Sequence, residues 1–157
     1  MDSNEELIQL PSLNLPSFDP NLIKKEGKIW IVDSIRKKSL VLTPEEWVRQ
    51  HWINFLINHL KYPRGLIALE KGMKYNQLQK RTDLVTLDRA GKPYLLIECK
   101  APEVRISQKT MEQVSVYHQE IKSEFLILSN GLEHVFLQYK TEEKQFVQLK
   151  DCPNAPR

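Results

Sequence analysis

Two charged side chains stand at the end of an apolar run, where they could bind a cation or a charged ligand. Glu98 and Lys100 follow the run Tyr94–Ile97, whose composition predicts a buried strand. Side chains two residues apart in a strand point to the same face, so these two charges project together. Apolar strands rarely end in two converging charges that bind nothing. The pair is therefore a candidate for chemistry.

A second carboxylate is predicted to face the first. Asp83 opens the preceding strand-like run. If Leu87 pairs with Tyr94 around a turn at residues 89–92, the antiparallel register places Asp83 opposite Glu98, with Cβ atoms about 4.5–5.5 Å apart. Two facing carboxylates repel each other, and a proton, a cation or a metal ion relieves the repulsion.

Oxygen ligands without a neighbouring Cys or His cluster favour Mg²⁺ or Mn²⁺ over zinc. We expect Asp83, Glu98 and the backbone carbonyl of Cys99 to hold such an ion. Lys100 would position or deprotonate the attacking water and stabilise negative charge during attack on a phosphodiester. The alternative is structural: Asp83 pairs with Arg81 or Lys100 at the surface, and Glu98 and Lys100 form an ordinary ion pair.

Composition limits the class of protein. The chain has 157 residues, of which 41% are apolar and 27% charged, which fits one globular domain. It contains no apolar run of 18 residues, and its acidic start does not resemble a secretory signal. With only Cys99 and Cys152, neither a disulfide framework nor a Cys-based zinc cluster is supported. We expect a soluble, cytoplasmic domain without a membrane partner.

The positive charge is concentrated in the middle of the chain. Residues 61–110 carry 11 Lys and Arg against 5 Asp and Glu, whereas the flanking thirds are slightly acidic. A localised basic field suits a polyanion such as nucleic acid. A solvated basic face without a partner is the alternative reading.

The pattern predicts an irregular arm over residues 1–27, where Pro11, Pro16 and Pro20 exclude a long helix. A β-hairpin over residues 27–32 and 39–42 and a helix of about 16 residues follow. Thr43 is the expected N-cap, Pro44 suits the first helical position, and Glu46 falls three residues after the cap.

The remaining pattern gives a core order of α-β-β-β-α-β, which is an α/β (α+β) fold with a mixed sheet flanked by helices. Residues 28–150 form the expected single domain and residues 151–157 a C-terminal tail. The predicted core elements are strands at 66–70, 83–87 and 94–99, a helix at 107–121, a strand at 125–128, and added strands at 135–139 and 146–149.

The types and spacing of these residues resemble those of a known family. Asp83, followed after 14 residues by Glu98-Cys99-Lys100, with an acid on the preceding helix and Gln113 on the following one, resembles the PD-(D/E)XK nuclease superfamily. The blocks at residues 43–50, 96–102 and 129–131 are similar to the N-terminal nuclease domain of type I restriction enzyme R subunits, in a small bacterial stand-alone form. The resemblance covers residues 27–150 and implies a restriction-endonuclease-like αβββαβ core with an extra N-terminal hairpin and C-terminal strands.

The resemblance implies further roles. Glu46 would complete the metal site and Gln113 would belong to the catalytic set, with Tyr117 one turn later near DNA. The expected nucleic-acid-binding residues are Arg81, Arg105, Lys109 and Tyr117. Glu46 has a competing role in a capping box, Glu45 is its possible substitute, and Gln113 and Tyr117 could be ordinary packing residues.

The function expected from the sequence is metal-dependent hydrolysis of DNA. The sequence lacks the phosphate loop of the helicase-type motor that the restriction subunit carries, so a motor or methyltransferase would be a separate partner. Two alternatives stay open: a nucleic-acid-binding module without turnover, and a regulatory or assembly subunit. The oligomeric state is also open, a homodimer included.

Overall fold

The computed structural model describes residues 10–68 and 83–157, apart from the side chains of Ala68, Asp83, Tyr117 and Glu120. The expectations for Arg81, for the Tyr117 side chain and for the end of the strand predicted at 66–70 therefore lie outside the described residues.

The described elements follow the predicted order. In chain order they are β1 (Leu22–Lys25), β2 (Lys28–Val32), β3 (Ser39–Val41), helix α1 (Pro44–Asn54) with a π-helical continuation (Phe55–His59), a 3₁₀ turn (Arg64–Leu66), β4 (Ile67–Ala68), β5 (Asp83–Leu87), β6 (Pro93–Cys99), helix α2 (Gln108–Ile121), β7 (Phe125–Ser129), β8 (His134–Lys140) and β9 (Gln145–Leu149).

The strands form two sheets. Strands β1, β2 and β3 make an antiparallel meander, and strands β4 to β9 lie side by side in sequence order in the second sheet. Within that second sheet β6 and β7 are parallel and the other described neighbours are antiparallel. Helix α2 makes the crossover that a parallel pair requires. The mixed α/β architecture predicted from the sequence is confirmed.

One correction concerns the arm, which is not irregular throughout. Leu22–Lys25 forms β1 and pairs antiparallel with β2 through a tight turn in which Glu26 and Gly27 both have positive φ. Only the pair Leu22-Ile23 gives this strand an apolar signal, and most of its side chains are exposed. Pairing with β2, rather than burial, makes it a strand.

Helix α1 begins as the sequence predicts. The Thr43 hydroxyl accepts a hydrogen bond from the backbone N–H of Glu46 at 3.1 Å, and Pro44 occupies the first helical turn. After Asn54 the helix continues as five π-helical residues to His59. The α and π segments together span residues 44–59, in agreement with the expected length of about 16 residues.

The second sheet is covered on both faces, and strand alternation decides which residues meet which helix. On one face, Leu95 and Ile97 of β6 pack in the same core as Trp52 of α1. On the other, Leu96 packs in the same core as Val114 and Ile121 of α2. We call these the α1 face and the α2 face.

The described part of the arm, from residue 10 onward, and the C-terminal tail pack onto the domain. In the arm, the indole N–H of Trp47 donates to the Pro11 carbonyl at 2.9 Å, and Asn14 N–H donates to the Gly131 carbonyl at 2.7 Å. In the tail, the carbonyl of Pro153 accepts from the Tyr62 hydroxyl at 2.8 Å. The described part of the arm and the tail therefore contribute to the domain rather than extending from it. None of the described helices is long and apolar enough to cross a membrane.

The contact between the arm and Gly131 gives a prediction. Gly131 has φ +86°, and a Cβ there would lie 2.9 Å from Cδ2 of Leu13. We expect Gly131→Ala to combine backbone strain with displacement of the arm, and to lower the free energy of unfolding by about 2 kcal/mol. Thermal unfolding and limited proteolysis within residues 10–20 measure the two effects.

Gly91→Ala is the matched control. Gly91 has a similar φ of +81°, but no atom lies within 4 Å of its added Cβ. Gly91→Ala should lower the free energy of unfolding through backbone strain, but it should not increase proteolysis of the arm. Equal effects of the two substitutions on the arm would contradict the proposed contact.

Candidate functional site

The candidate site lies where β6 ends. Glu98 is almost fully buried, and its Oε1 lies 3.1 Å from Nζ of Lys100, whose side chain is 20% exposed. By alternation both project to the α2 face, on the same side as Leu96. The sequence prediction that these two charges converge is confirmed.

Asp83 stands opposite Glu98, as predicted. The β5–β6 register pairs Asp83 with Glu98 and Thr86 with Leu95. The end of the hairpin differs from the prediction, because Leu87 pairs with Pro93 rather than Tyr94 and the register shifts between Thr86 and Leu87. The irregularity is confined to the turn end, so the predicted pairing at the other end is preserved.

Cys99 lies between the two charged residues but on the opposite face. Its side chain is buried in the α1-face core. Its backbone pairs with Ser129 of β7 in the parallel ladder. The metal-binding role that the sequence assigns to its carbonyl stays a prediction.

The loop that follows Lys100 is fixed by residues after β7. Lys100 N–H donates to the Ser129 carbonyl at 2.8 Å. The Asn130 side-chain amide donates to the Val104 carbonyl at 2.9 Å, and its Oδ1 accepts from the backbone N–H groups of Leu132 and Glu133. Asn130 therefore ties the β6–α2 loop to the β7–β8 turn at the edge where both parallel strands end.

Sequence reasoning identified Asn130 only as a turn residue within a recognised block. The Asn-Gly pair was the available signal, but a turn motif does not say which distant carbonyl the amide binds. Its role in supporting the loop after Lys100 emerges only from the tertiary contact.

Three of the expected DNA-facing or catalytic side chains lie in the loop before α2 or on its first two turns. Arg105, Lys109 and Gln113 are all exposed. Helix α2 begins at Ser107, whose hydroxyl accepts from Thr110 N–H while Thr110 Oγ1 accepts from Ser107 N–H. Residues 100–107 form the loop that connects the end of β6, where Glu98 lies, to the start of α2.

A comparison with models of protein families identifies the family of this chain. The model described as type I restriction enzyme R protein N terminus (HSDR_N) matches residues 44–153. The chain belongs to this family. No curated protein and no solved structure matches the chain.

The family match begins at Pro44, the first residue of α1, and ends in the tail at Pro153. It therefore includes the pairing of Asp83 with Glu98, Lys100, and the contact of Tyr62 with Pro153. The arm and the first sheet precede the matched region, yet the arm packs against it through Trp47 and Gly131, and Asp33, which follows β2, contacts Arg49 of α1.

The structure does not join Glu46 to the strand acids in any contact among the described residues. Glu46 Oε2 instead accepts from Arg49 Nη1 and Gln50 Nε2, both at 3.2 Å. Arg49 Nη1 also donates to Asp33 Oδ2 at 2.8 Å, as Gln50 Nε2 does at 3.1 Å. All four side chains are buried. We call this set, Asp33, Glu46, Arg49 and Gln50, the clamp.

The clamp also decides against a reciprocal capping box at the start of α1. Thr43 does cap the helix, but the hydrogen bonds described for the Glu46 carboxylate go to the helix's own Arg49 and Gln50. The acid that sequence reasoning missed is Asp33, which lies in the polar segment after β2. It joins the first sheet to α1, where the matched region begins.

The pKa values of the two clamp carboxyl groups shift in opposite directions. Burial alone would raise the pKa of Asp33, but hydrogen bonds from Arg36 N–H and from Arg49, with the charge of Arg49, lower it to about 2. Burial raises the pKa of Glu46, although Arg49 acts in the opposite direction. Arg49 Nη1 lies closer to Asp33, at 2.8 Å, than to Glu46, at 3.2 Å.

Among the side chains that the structure describes, no group of three or more His, Cys, Asp or Glu could hold a metal ion. The predicted set requires Asp83, whose side chain is not described. His51, His118 and His134 each contact a backbone carbonyl, and burial lowers the pKa of all three. These contacts give the three imidazole rings structural roles.

The clamp predicts a pH-dependent stability. The pKa of Asp33 falls from 3.8 to about 2 on folding, so its contribution is complete above pH 3.8 and is lost as the pH falls through 2. We expect Asp33→Asn to lower the free energy of unfolding by at least about 2 kcal/mol at pH 7. Thermal melts at pH 7, 4 and 2.5 measure it.

The difference between wild type and variant should narrow below pH 4. The titration of Asp33 itself is taken from the melts at pH 4 and 2.5, because Glu46, whose pKa is raised, contributes in the opposite sense at higher pH. Asp151→Asn, at an exposed residue of the tail, is the control and should leave stability unchanged. A constant difference down to pH 2.5 would be inconsistent with titration of Asp33.

Proposed function

We propose that this domain is a Mg²⁺- or Mn²⁺-dependent endonuclease that hydrolyses DNA phosphodiester bonds, built on a PD-(D/E)XK core. The observation that carries the proposal is the pairing of Asp83 with Glu98 across β5 and β6, with the Lys100 ammonium 3.1 Å from the Glu98 carboxylate. Membership in a family of restriction enzyme R proteins supports a nuclease role.

The donor set fits a hard cation. Asp83, Glu98 and the Cys99 carbonyl offer oxygen ligands, as Mg²⁺ and Mn²⁺ prefer. When bound, such an ion supplies charge stabilisation at the phosphodiester and favours ionisation of water. Glu46 lies in the first turn of α1 and belongs to the clamp, so we assign it a structural role and do not include it in the proposed ligand set.

The protein's own residues have separate tasks. Lys100 holds its ammonium group beside Glu98 and stabilises negative charge that develops on the phosphate. Its side chain is partly exposed, whereas the Glu98 carboxylate is shielded. This difference in exposure suits a Lys100 ammonium group that contacts the substrate and a Glu98 carboxylate that binds the metal ion. Asn130 is a positioning residue because it supports the loop that follows Lys100.

The basic face completes the proposal. Arg105, Lys109 and Gln113 are exposed near the start of α2, at the edge where the parallel strands end. Ligands of α/β sheets commonly bind outside this edge. We propose that the two basic side chains contact DNA phosphates and that Gln113 lies beside the cleft. A motor or methyltransferase subunit would be supplied by a separate chain.

Nicking of supercoiled DNA in Mn²⁺ tests the catalytic set. We expect Lys100→Ala and Glu98→Gln each to reduce the nicking rate about a hundredfold or more, because each removes charge from the reacting centre. Lys92→Ala and Glu142→Gln, at exposed residues in the turns β5–β6 and β8–β9 at the other end of the sheet, are matched controls and should keep wild-type rates.

Two results separate the alternatives. Nicking that persists in both site variants would show that the activity arises elsewhere. Salt-sensitive DNA binding by the wild type, without cleavage under any divalent ion, would favour the binding module over the enzyme.

Salt dependence of DNA binding tests the basic face. We expect Lys109→Ala to weaken binding to duplexes of unrelated sequence alike and to lower the slope of log K against log salt by about 1. Filter binding or fluorescence anisotropy between 50 and 200 mM salt measures the slope, with Lys92→Ala, in the β5–β6 turn at the other end of the sheet, as the control. An unchanged slope would remove Lys109 from the interface.

A further inference from the structure

A line of polar side chains follows one side of α1 at four-residue intervals. It consists of Glu46, Gln50, Asn54 and Asn58 and continues from the α-helix into the π-helical segment. We call it the amide ladder. Gln50 Nε2 donates to Glu46 Oε2 at 3.2 Å, and Asn58 Nδ2 donates to Asn54 Oδ1 at 2.8 Å. Each contact joins neighbours along the line.

The ladder has one break. Asn54 Nδ2 is buried but donates no hydrogen bond to any of the described residues. Its orientation is set by Asn58, whose donor requires the Asn54 oxygen as its acceptor. Buried donors almost always have a partner. The Asn54 amide therefore points to an acceptor from outside the described chain.

A cleft of about 380 Å³ lies over this break. Its lining includes Gln50, Asn54 and Asn58 of the amide ladder together with Phe18, Asp19 and Arg64. The volume is within the range of small-molecule sites. The π-helical turn, a conformation frequent at functional sites, contributes Asn58 to the wall.

The lining chemistry selects the ligand. The Asn54 donor requires an acceptor such as a purine ring nitrogen, and Asn and Gln amides match the donor and acceptor edge of adenine. The Asp19 carboxylate can accept from an exocyclic amino group. Arg64 is the one cation among the described lining residues, and its Nη1 is held at the rim by the Ser34 carbonyl at 2.9 Å.

We propose that this cleft binds a purine nucleotide, with the base on the amide ladder and the phosphate at Arg64. Helix α1 covers the sheet face opposite to that of Glu98 and Lys100, so this site is distinct from the proposed nuclease centre. The nucleotide can be a free one or a base in a single strand, since both present the same base and phosphate.

Calorimetric titration of the full chain tests the proposal with AMP, adenosine, CMP and single-stranded oligo(dA). We expect saturable binding of AMP and adenosine and weaker binding of CMP. Asn54→Asp keeps the oxygen that Asn58 needs but removes the free donor, and should weaken adenosine binding about tenfold. Arg64→Ala should weaken AMP about tenfold and leave adenosine unchanged.

Thr141→Ala, in a separate cleft between α2 and the β8–β9 hairpin, is the control and should bind AMP as the wild type does. Glu98→Gln should also leave AMP binding unchanged, which separates this site from the nuclease proposal. Tighter binding of oligo(dA) than of AMP would identify the strand as the source of the base, and the reverse would identify the free nucleotide.

Three results would overturn the proposal. They are the absence of saturable binding by AMP, adenosine and oligo(dA), equal binding of AMP and CMP, and wild-type adenosine affinity in Asn54→Asp. Circular dichroism and thermal melting of each variant confirm that the comparison is made between folded proteins.

Discussion

Strand β6 is buried on both faces, and its side chains alternate between the two cores of the domain. Leu95, Ile97 and Cys99 point towards α1, whereas Leu96 and Glu98 point towards α2. This alternation fixes the pairing register of β6, because a shift by one residue would put Glu98 in the α1-face core and Ile97 at the ion pair. The position of the charged pair thus follows from the packing of both helices.

The same alternation explains why a strand can carry a buried carboxylate. Glu98 lies beyond the apolar part of the α2 face, where the strand ends and the chain turns into a loop. An ammonium group two residues later is close enough to compensate its charge at 3.1 Å. The loop cannot move freely, since Ser129 and Asn130 of the neighbouring parallel strand hold it. Charge compensation and loop support therefore come from different elements.

Much of this could be predicted from sequence because local patterns determine it. Alternation and turn residues located the core strands, and Thr43-Pro44 located the start of α1. The pairing of Asp83 with Glu98 followed from hairpin register, even though the turn at Leu87 did not close as expected. Contacts between distant segments could not be predicted from the sequence. Nothing near Asp33 indicates that it binds Arg49, and Glu46 was expected beside the strand acids but belongs to the clamp. β1 was missed because pairing, not burial, stabilises it.

The tail has a consequence for any polypeptide attached behind it. Asn154 accepts from the hydroxyl of Tyr94, near the start of β6, whereas Glu98 lies near the end of the same strand. At about 3.3 Å per residue, roughly 13 Å of strand separates these two positions. An affinity tag or a fused domain would thus leave the protein near the opposite end of the central strand, where it would not obstruct approach to the Lys100 side chain.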